Sequence, residues 1–208
     1  MCRFGGHPIP FGNMPIICVG FDSHTMSVVA VVSSPRRDGS GDMIANRICD
    51  GIRANGKDVI LFHLNDMVSF RQCQNCEACK KDGKCVLDDD ISPIIDSIRD
   101  AEGLVIASSI EFNEVNGLFK MLLDRFYCFL DMNASTILPK GKKLATVITA
   151  GLDSDSAERV SKNLEKVFSE HFFFEPVGRI AYTNWMMPAG MPVDEDVMSE
   201  AEGIGRSF

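Results

Sequence analysis

Five short apolar runs, separated by segments with helical periodicity, constrain the fold of this 208-residue chain more than any other feature. The first run, Ser27–Val32, is continuous and β-branched, as in strands that are buried on both faces of a parallel sheet. After it, Ile44, Ile48 and Ile52 recur at helical spacing. The alternation of five strand-like runs with helical segments predicts an α/β fold with a five-stranded parallel sheet and right-handed crossovers. The other four runs cover residues 57–64, 103–109, 142–150 and 172–182.

The length favours a single domain, which we place at residues 27–208. Residues 1–26 are rich in glycine and proline and are predicted to be a flexible extension. The alternatives are that Met26 is the true start, or that the segment packs on a neighbouring subunit. Residues 65–90 follow the second strand without clear periodicity, and such long segments in compact domains are usually functional or disordered. We therefore expect an inserted loop there.

That loop contains Cys73, Cys76, Cys79 and Cys85, spaced C-x2-C-x2-C-x5-C. A cubane iron–sulfur cluster needs one thiolate for each of four irons, and two-residue spacers aim successive sulfurs at successive corners. We therefore predict that the four cysteines bind one cluster. The alternatives are a zinc site, although zinc sites usually show two separated cysteine pairs, and free or redox-active thiols. Disulfides are not expected in a chain without a secretory signal.

The small polar loop after the first strand indicates an anion site. Backbone N–H groups converge at the start of the following helix, Ser33, Ser34 and Ser40 add hydroxyl groups, and Arg36 adds positive charge. The alternative is an ordinary loop in which Ser40 caps the helix. Neither the Gly-rich dinucleotide fingerprint nor the P-loop pattern is present. Residues 108–117 form a second candidate loop, because doubly wound sheets bind ligands at the carboxyl ends of their strands.

Net charge and cysteine content indicate which classes of partner to exclude and which cellular compartment to expect. The net charge of −8, from 21 basic and 29 acidic residues, argues against binding to nucleic acid or to an anionic membrane. No apolar run approaches the ~20 residues of a membrane-spanning helix. Eight cysteines without a signal peptide indicate the reducing cytoplasm.

Taken in order, these features resemble the iron–sulfur flavoproteins, the cluster-bearing branch of the NADPH-dependent FMN reductase-like proteins with a flavodoxin-like, doubly wound fold. The resemblance covers about residues 27–190. Its most specific parts are Ser34-Pro35-Arg36 and the cysteine motif followed by Asp88-Asp89; Gly117 with Lys120 and Asp124-Arg125 is similar to the family's third loop and following helix.

The resemblance implies FMN, with its phosphate held by the loop after the first strand and its ring along the loops after the third and fourth strands. It also implies a [4Fe–4S] cluster, bound by the four motif cysteines. Relatives commonly carry Asn and Ser or Thr at positions 40 and 41, and Pro and Tyr at positions 109 and 111. Backbone donors survive both departures, so these changes need not abolish FMN binding. The cofactor-binding residues expected in the loops are Ser33, Ser34, Arg36, Ser40, Gly41, Asp42, Ser108, Ser109, Ile110, Glu111, Phe112, Gly117, Thr149, Ala150, Gly151 and Asp155.

The predicted function is an oxidoreductase that passes electrons between cluster and flavin. The expected partners are ferredoxin or NAD(P)H and a small-molecule acceptor, and the resemblance implies a homodimer or homotetramer. No catalytic acid or base is predicted, because His63 and His171 lie in or beside core elements. One alternative is an NAD(P)H-dependent FMN or quinone reductase whose cysteine loop holds zinc or free thiols; another is a non-catalytic redox sensor.

Overall fold

A computed structural model describes residues 27–151, 154–183, 188 and 190–208. The extension predicted for residues 1–26 lies outside the described residues. Five parallel strands form one sheet in the order β2-β1-β3-β5-β6, and the short strand β4 pairs antiparallel with β3. This is the flavodoxin-like order, and it confirms the predicted fold. The strands are β1 Ser27–Val32, β2 Asp58–His63, β3 Gly103–Glu111, β4 Glu114–Val115, β5 Lys143–Ala150 and β6 Glu175–Thr183.

Helices cover both faces of the sheet, because successive strand residues point to opposite sides. Val28 and Ala30 of β1 face α1 and α5, whereas Val29 and Val31 face the core under α2, α3 and α4. None of the described helices is both long and apolar enough to cross a membrane. The helices are α1 Ser40–Ala54, α2 Ser92–Asp100, α3 Gly117–Arg125, α4 Ser154–Phe172 and α5 Glu195–Arg206.

Helices α1 and α5 approach each other closely through two glycines. A Cβ atom on Gly51 would lie 2.3 Å from the carbonyl oxygen of Glu202, and one on Gly205 would lie 2.1 Å from that of Ile48. Both distances are far below van der Waals contact, so this crossing requires residues without side chains.

The predicted fifth strand begins later than expected. Residues up to Phe172 belong to α4, because Phe168 and Phe172 pack with Phe126, with ring centroids 5.2 and 5.4 Å from it. The break predicted around Pro176 is present as a register shift between Leu144 and Ala145 of the neighbouring strand. Since β6 is an edge strand, proline is tolerated there.

The segment between β2 and α2 contains only two short 3₁₀ turns, Leu64–Asp66 and Ala78–Lys81, among its described residues. The first follows β2 directly, and the second carries Cys79. Asn75 and Glu77 have φ angles of 51° and 59°, in the left-handed region. The cysteine-bearing loop therefore turns sharply between successive cysteines.

Candidate functional site

One cleft lies at the carboxyl ends of β1, β3 and β5. Its lining brings together seven of the residues predicted to bind FMN, from three loops that are far apart in sequence. A Cβ atom on Gly41 would lie 3.4 Å from Cγ2 of Thr149, so the first turn of α1 packs directly against the end of β5. The lining residues are Ser34, Pro35, Arg36, Gly39, Ser40, Gly41, Ser109, Glu111 and Thr149.

The loop before α1 is shaped by Asp42, which is buried. Asp42 Oδ2 accepts a hydrogen bond of 2.9 Å from the backbone N–H of Asp38, whose φ of 55° lies in the left-handed region. Gly39, the N-cap, provides no side-chain cap, so the N-terminus of α1 presents backbone groups to the cleft. This arrangement suits an anion such as a phosphate. Asp42 thus positions the loop and does not line the cleft itself.

His63, at the end of β2, lies beside Asp42. Its Nε2 is 3.6 Å from Oδ1 of Asp42, and both side chains are largely buried. Burial lowers the pKa of His63 below its ordinary value, and the carboxylate of Asp42 opposes that effect only in part. The histidine therefore packs against the loop, as expected for a residue in or beside a core element.

Asn116, the residue before α3, joins the loop after β1 to the end of β3. Its Nδ2 donates to the carbonyl oxygen of Ser33 at 2.8 Å and to Oγ of Ser109 at 3.1 Å. Its Oδ1 accepts from the backbone N–H of Phe119 at 3.1 Å, which caps α3. One buried side chain therefore fixes the spacing of two cleft loops and the start of a helix.

The hairpin between β3 and β4 carries Phe112, which is 98% exposed. Its φ is 50°, and that of Asn113 is 68°. Asn113 Oδ1 accepts hydrogen bonds from Ser156 Oγ at 3.0 Å and from Arg159 at 3.2 Å, which tie the hairpin tip to α4. Phe112 is thus held out from the protein rather than packed into it.

The remaining predicted flavin residues do not line the cleft. Ser33, Ser108 and Ala150 are buried beneath it, and Ser108 Oγ accepts from the backbone N–H of Asn116 at 3.3 Å. Ile110 is half-buried in β3. Their roles toward a flavin stay predictions. The exposed ones are Gly117 at the start of α3, Gly151 after β5 and Asp155 in the first turn of α4.

A second cavity contains the four motif cysteines. Cys73, Cys76, Cys79 and Cys85 all line it, and all are free thiols. The backbone N–H of Asn75 donates to Sγ of Cys73 at 3.4 Å. The other lining residues are Gln74, Glu77, Val86, Leu87, Arg125, Tyr127 and Cys128.

The cavity wall opposite the cysteine loop is built by α3 and the 3₁₀ turn that follows it. Lys80 Nζ, beside Cys79, donates to the carbonyl oxygens of Tyr127 and Leu130 at 2.7 and 2.6 Å. It also lies 3.4 Å from the centre of the Tyr127 ring. Lys80 therefore fastens the loop to this wall with charge-assisted hydrogen bonds.

Arg125, the last residue of α3, forms a buried ion pair with Asp89. Nη1 lies 2.7 Å from Oδ2 of Asp89, and the arginine side chain has no exposed surface. Burial raises the pKa of Asp89, but hydrogen bonds from Arg125 and from the backbone of Arg71 outweigh it and hold that pKa below its ordinary value. Asp89 therefore anchors the cysteine loop to the end of α3.

Burial raises the pKa of two thiols in this region. It raises the pKa of Cys79, and it raises that of Cys128 to about 12. Among the described residues, no three His, Cys, Asp or Glu side chains are placed to hold a single metal ion. What the structure presents is therefore four thiols around one cavity, without convergence on one point.

The donor set nevertheless has the chemistry that an iron–sulfur cluster requires. Four thiols share one cavity, a backbone N–H already donates to one sulfur, and Arg125 Nε is buried beside them without a hydrogen-bond partner. An unpaired buried donor is costly, so the cavity suits a group that accepts hydrogen bonds.

Comparison with known proteins decides the family. The model of the family described as NADPH-dependent FMN reductase matches residues 26–184. The chain belongs to the NADPH-dependent FMN reductase family. The match contains every strand of the sheet, the cleft and the cysteine loop. It confirms the family resemblance that the sequence motifs predicted.

Two curated relatives of this FMN reductase family member are named iron–sulfur flavoproteins. One, from Methanocaldococcus jannaschii, is 30% identical over 48% of this chain and 51% of its own length. The other, from Archaeoglobus fulgidus, is 27% identical over 67% of this chain and 66% of its own. The chain therefore spans about half to two thirds of the length of these relatives.

Solved structures agree on the fold. An archaeal flavodoxin superposes on 88% of this chain and 95% of its own length, with a TM-score of 0.54 and 15% sequence identity. At that identity the similarity establishes the flavodoxin-like fold of this FMN reductase family member, and nothing beyond it.

Sequence reasoning missed several residues that shape the two sites. Asn116 carried a signal, because asparagine directly before a helix start is a preferred N-cap. Arg125 was noted only as part of a family pattern. Tyr127 and Cys128 carried no signal, since they resemble the rest of an aromatic, apolar helix.

Proposed function

We propose that this protein is an FMN- and [4Fe–4S]-containing oxidoreductase that passes electrons between its cluster and its flavin. The observation that carries the proposal is the cavity shared by the four motif cysteines, at the far end of the helix that starts at the cleft. Asn116 caps α3 beside the cleft, and Arg125 ends it at the cysteine cavity. At 1.5 Å per residue, the nine residues of α3 span about 14 Å. Its residues therefore connect two sites at a short separation.

Different cleft residues would bind different parts of FMN. Ser34, Arg36 and the N-terminus of α1 would hold the phosphate, while Ser109 and Thr149 would flank the ring. When bound, FMN exchanges electron pairs or single electrons, whereas a cluster exchanges one electron at a time. The chain's own task is to fix the distance between them and to set their surroundings.

The cysteine cavity would hold the cluster through Cys73, Cys76, Cys79 and Cys85. The names of the curated relatives support this assignment. No side chain near the cleft is required as a proton donor, and we propose no catalytic acid or base. We further propose a cytoplasmic protein that takes electrons from ferredoxin or NAD(P)H, delivers them to a small-molecule acceptor, and works as a homodimer or homotetramer.

The substitution Cys76→Ser tests whether the two sites are separate. We expect the variant to lose its iron and to keep FMN, because Cys76 lines only the cysteine cavity. Iron, acid-labile sulfide and flavin are assayed on anaerobically purified protein. Cys49→Ser is the matched control: Cys49 is a free thiol fully buried in α1, and burial raises its pKa to about 11. The proposal would be refuted if Cys76→Ser kept all of its iron, or if it lost flavin together with iron.

A second candidate is an NAD(P)H-dependent FMN or quinone reductase that works without a cluster. The description of the matching family favours it, since that description names FMN reduction by NADPH. Steady NAD(P)H oxidation by iron-free protein, at a rate equal to that of iron-loaded protein, would support this reading over the first.

A further inference from the structure

Arg125 ties together the two ends of the cysteine loop. Its Nη1 donates to the carbonyl oxygen of Arg71 at 3.0 Å, just before the first motif cysteine. Its Nη2 donates to the carbonyl oxygen of Leu87 at 3.5 Å, just after the last one. Together with the ion pair to Asp89, these bonds use the outer nitrogens of the guanidinium group. They fix the side chain in one orientation.

That orientation leaves the Nε–H of Arg125 unused. Arg125 is only 1% exposed, and its buried Nε has no hydrogen-bond partner. Arg125 also lines the cavity that contains all four motif cysteines. A buried N–H group without an acceptor destabilises the protein, so the group expected in the cavity should supply that acceptor. In a cavity of four cysteines the available acceptor is sulfur.

We propose that the Nε–H of Arg125 donates a hydrogen bond to a sulfur atom of the cluster and raises the cluster's reduction potential. The sulfur is either a cysteine thiolate or an inorganic sulfide. Arg125 thus holds the loop with its outer nitrogens and acts on the cluster directly with Nε. This inference rests on the proposed function, because it requires a cluster in the cavity.

The direction of the effect follows from charge. Reduction adds one electron to a cluster that already carries four thiolates, and no bond forms or breaks in that step. A cation and an N–H donor next to the sulfurs stabilise the reduced cluster more than the oxidised one. Removing them should therefore make the potential more negative.

The test compares Arg125→Met and Arg125→Lys with the control Arg99→Met in anaerobic titrations with dithionite, followed by EPR. Arg99 is also a cation that holds the loop, donating to the carbonyl oxygen of Gly83 at 2.7 Å, but it does not line the cavity. We expect Arg125→Met to lower the reduction equilibrium constant at least about tenfold, which is about 59 mV for one electron. Arg125→Lys should give a smaller shift in the same direction, and Arg99→Met less than a third of the Arg125→Met shift.

A measurement on the unaltered protein keeps the inference testable if the Arg125 variants do not hold iron. In protein labelled with 15N-arginine, the reduced cluster should show a 15N coupling by pulsed EPR, and Arg99→Met should retain it. Absence of the coupling, an unchanged potential in iron-loaded Arg125 variants, or an equal shift in Arg99→Met would each overturn the inference. Absence of iron from the wild-type protein would instead refute the proposed function itself, and the inference with it.

Discussion

The substitution Asn116→Ala should destabilise the fold more than any single hydrogen bond explains. It removes the N-cap of α3, which is worth about 1 kcal/mol. It also removes the bonds from Nδ2 to Ser33 and Ser109, at about 1 kcal/mol each. The sum is about 3 kcal/mol, or roughly a 150-fold change in the unfolding equilibrium constant.

Urea unfolding of the apoprotein, followed by circular dichroism, measures this change directly. Asn133→Ala, at an exposed asparagine, is the control and should stay within about 0.5 kcal/mol of wild type. Asn116→Asp separates the two contributions, because a carboxylate still caps the helix but presents an oxygen to the Ser33 carbonyl. We expect Asn116→Asp to lose about 2 kcal/mol or more. A loss below about 1 kcal/mol in Asn116→Ala, or a neutral Asn116→Asp, would refute the cross-loop role of this residue.

Two further predictions concern other parts of the fold. Gly205→Ala should destabilise the protein by about 2 kcal/mol, because the added Cβ would lie 2.1 Å from the carbonyl oxygen of Ile48. The control Gly203→Ala should destabilise it far less, because a Cβ there meets nothing within 4 Å. Equal urea midpoints for the two variants would contradict the close crossing of α1 and α5. Because burial lowers the pKa of His63 in the folded state, the unfolded chain binds its proton first as the pH falls below about 6.5, and stability should decline there by up to about 1.4 kcal/mol per pH unit. In His63→Gln that part of the decline should be absent. The prediction would be contradicted if His63→Gln lost as much stability between pH 7 and pH 5 as the wild-type protein does.

The regular parts of the fold were predictable from the sequence. Continuous apolar runs and helical spacing of Ile44, Ile48 and Ile52 are local signals, and the structure contains the elements that they indicate. The boundary between α4 and β6 was not predictable, because Phe172 fits a buried strand as well as a buried helix. Its packing against Phe126, 46 positions earlier in the chain, decides the matter.

The candidate sites divide in the same way. The cysteine spacing and the loop positions follow from local sequence, and the structure places them around two cavities. The burial of Arg125 does not follow, since a long basic side chain is usually exposed. It depends on Asp89, which lies 36 positions away in sequence, and only the tertiary structure shows that the two residues meet.

The most direct test of the account is the metal and flavin content of anaerobically purified wild-type protein. Iron, zinc, acid-labile sulfide and FMN are measured on one sample and expressed per chain. The account predicts about four irons and four sulfides, about one FMN and no stoichiometric zinc. One zinc per chain, or FMN without iron, would contradict the central claim that the cysteine cavity holds an iron–sulfur cluster.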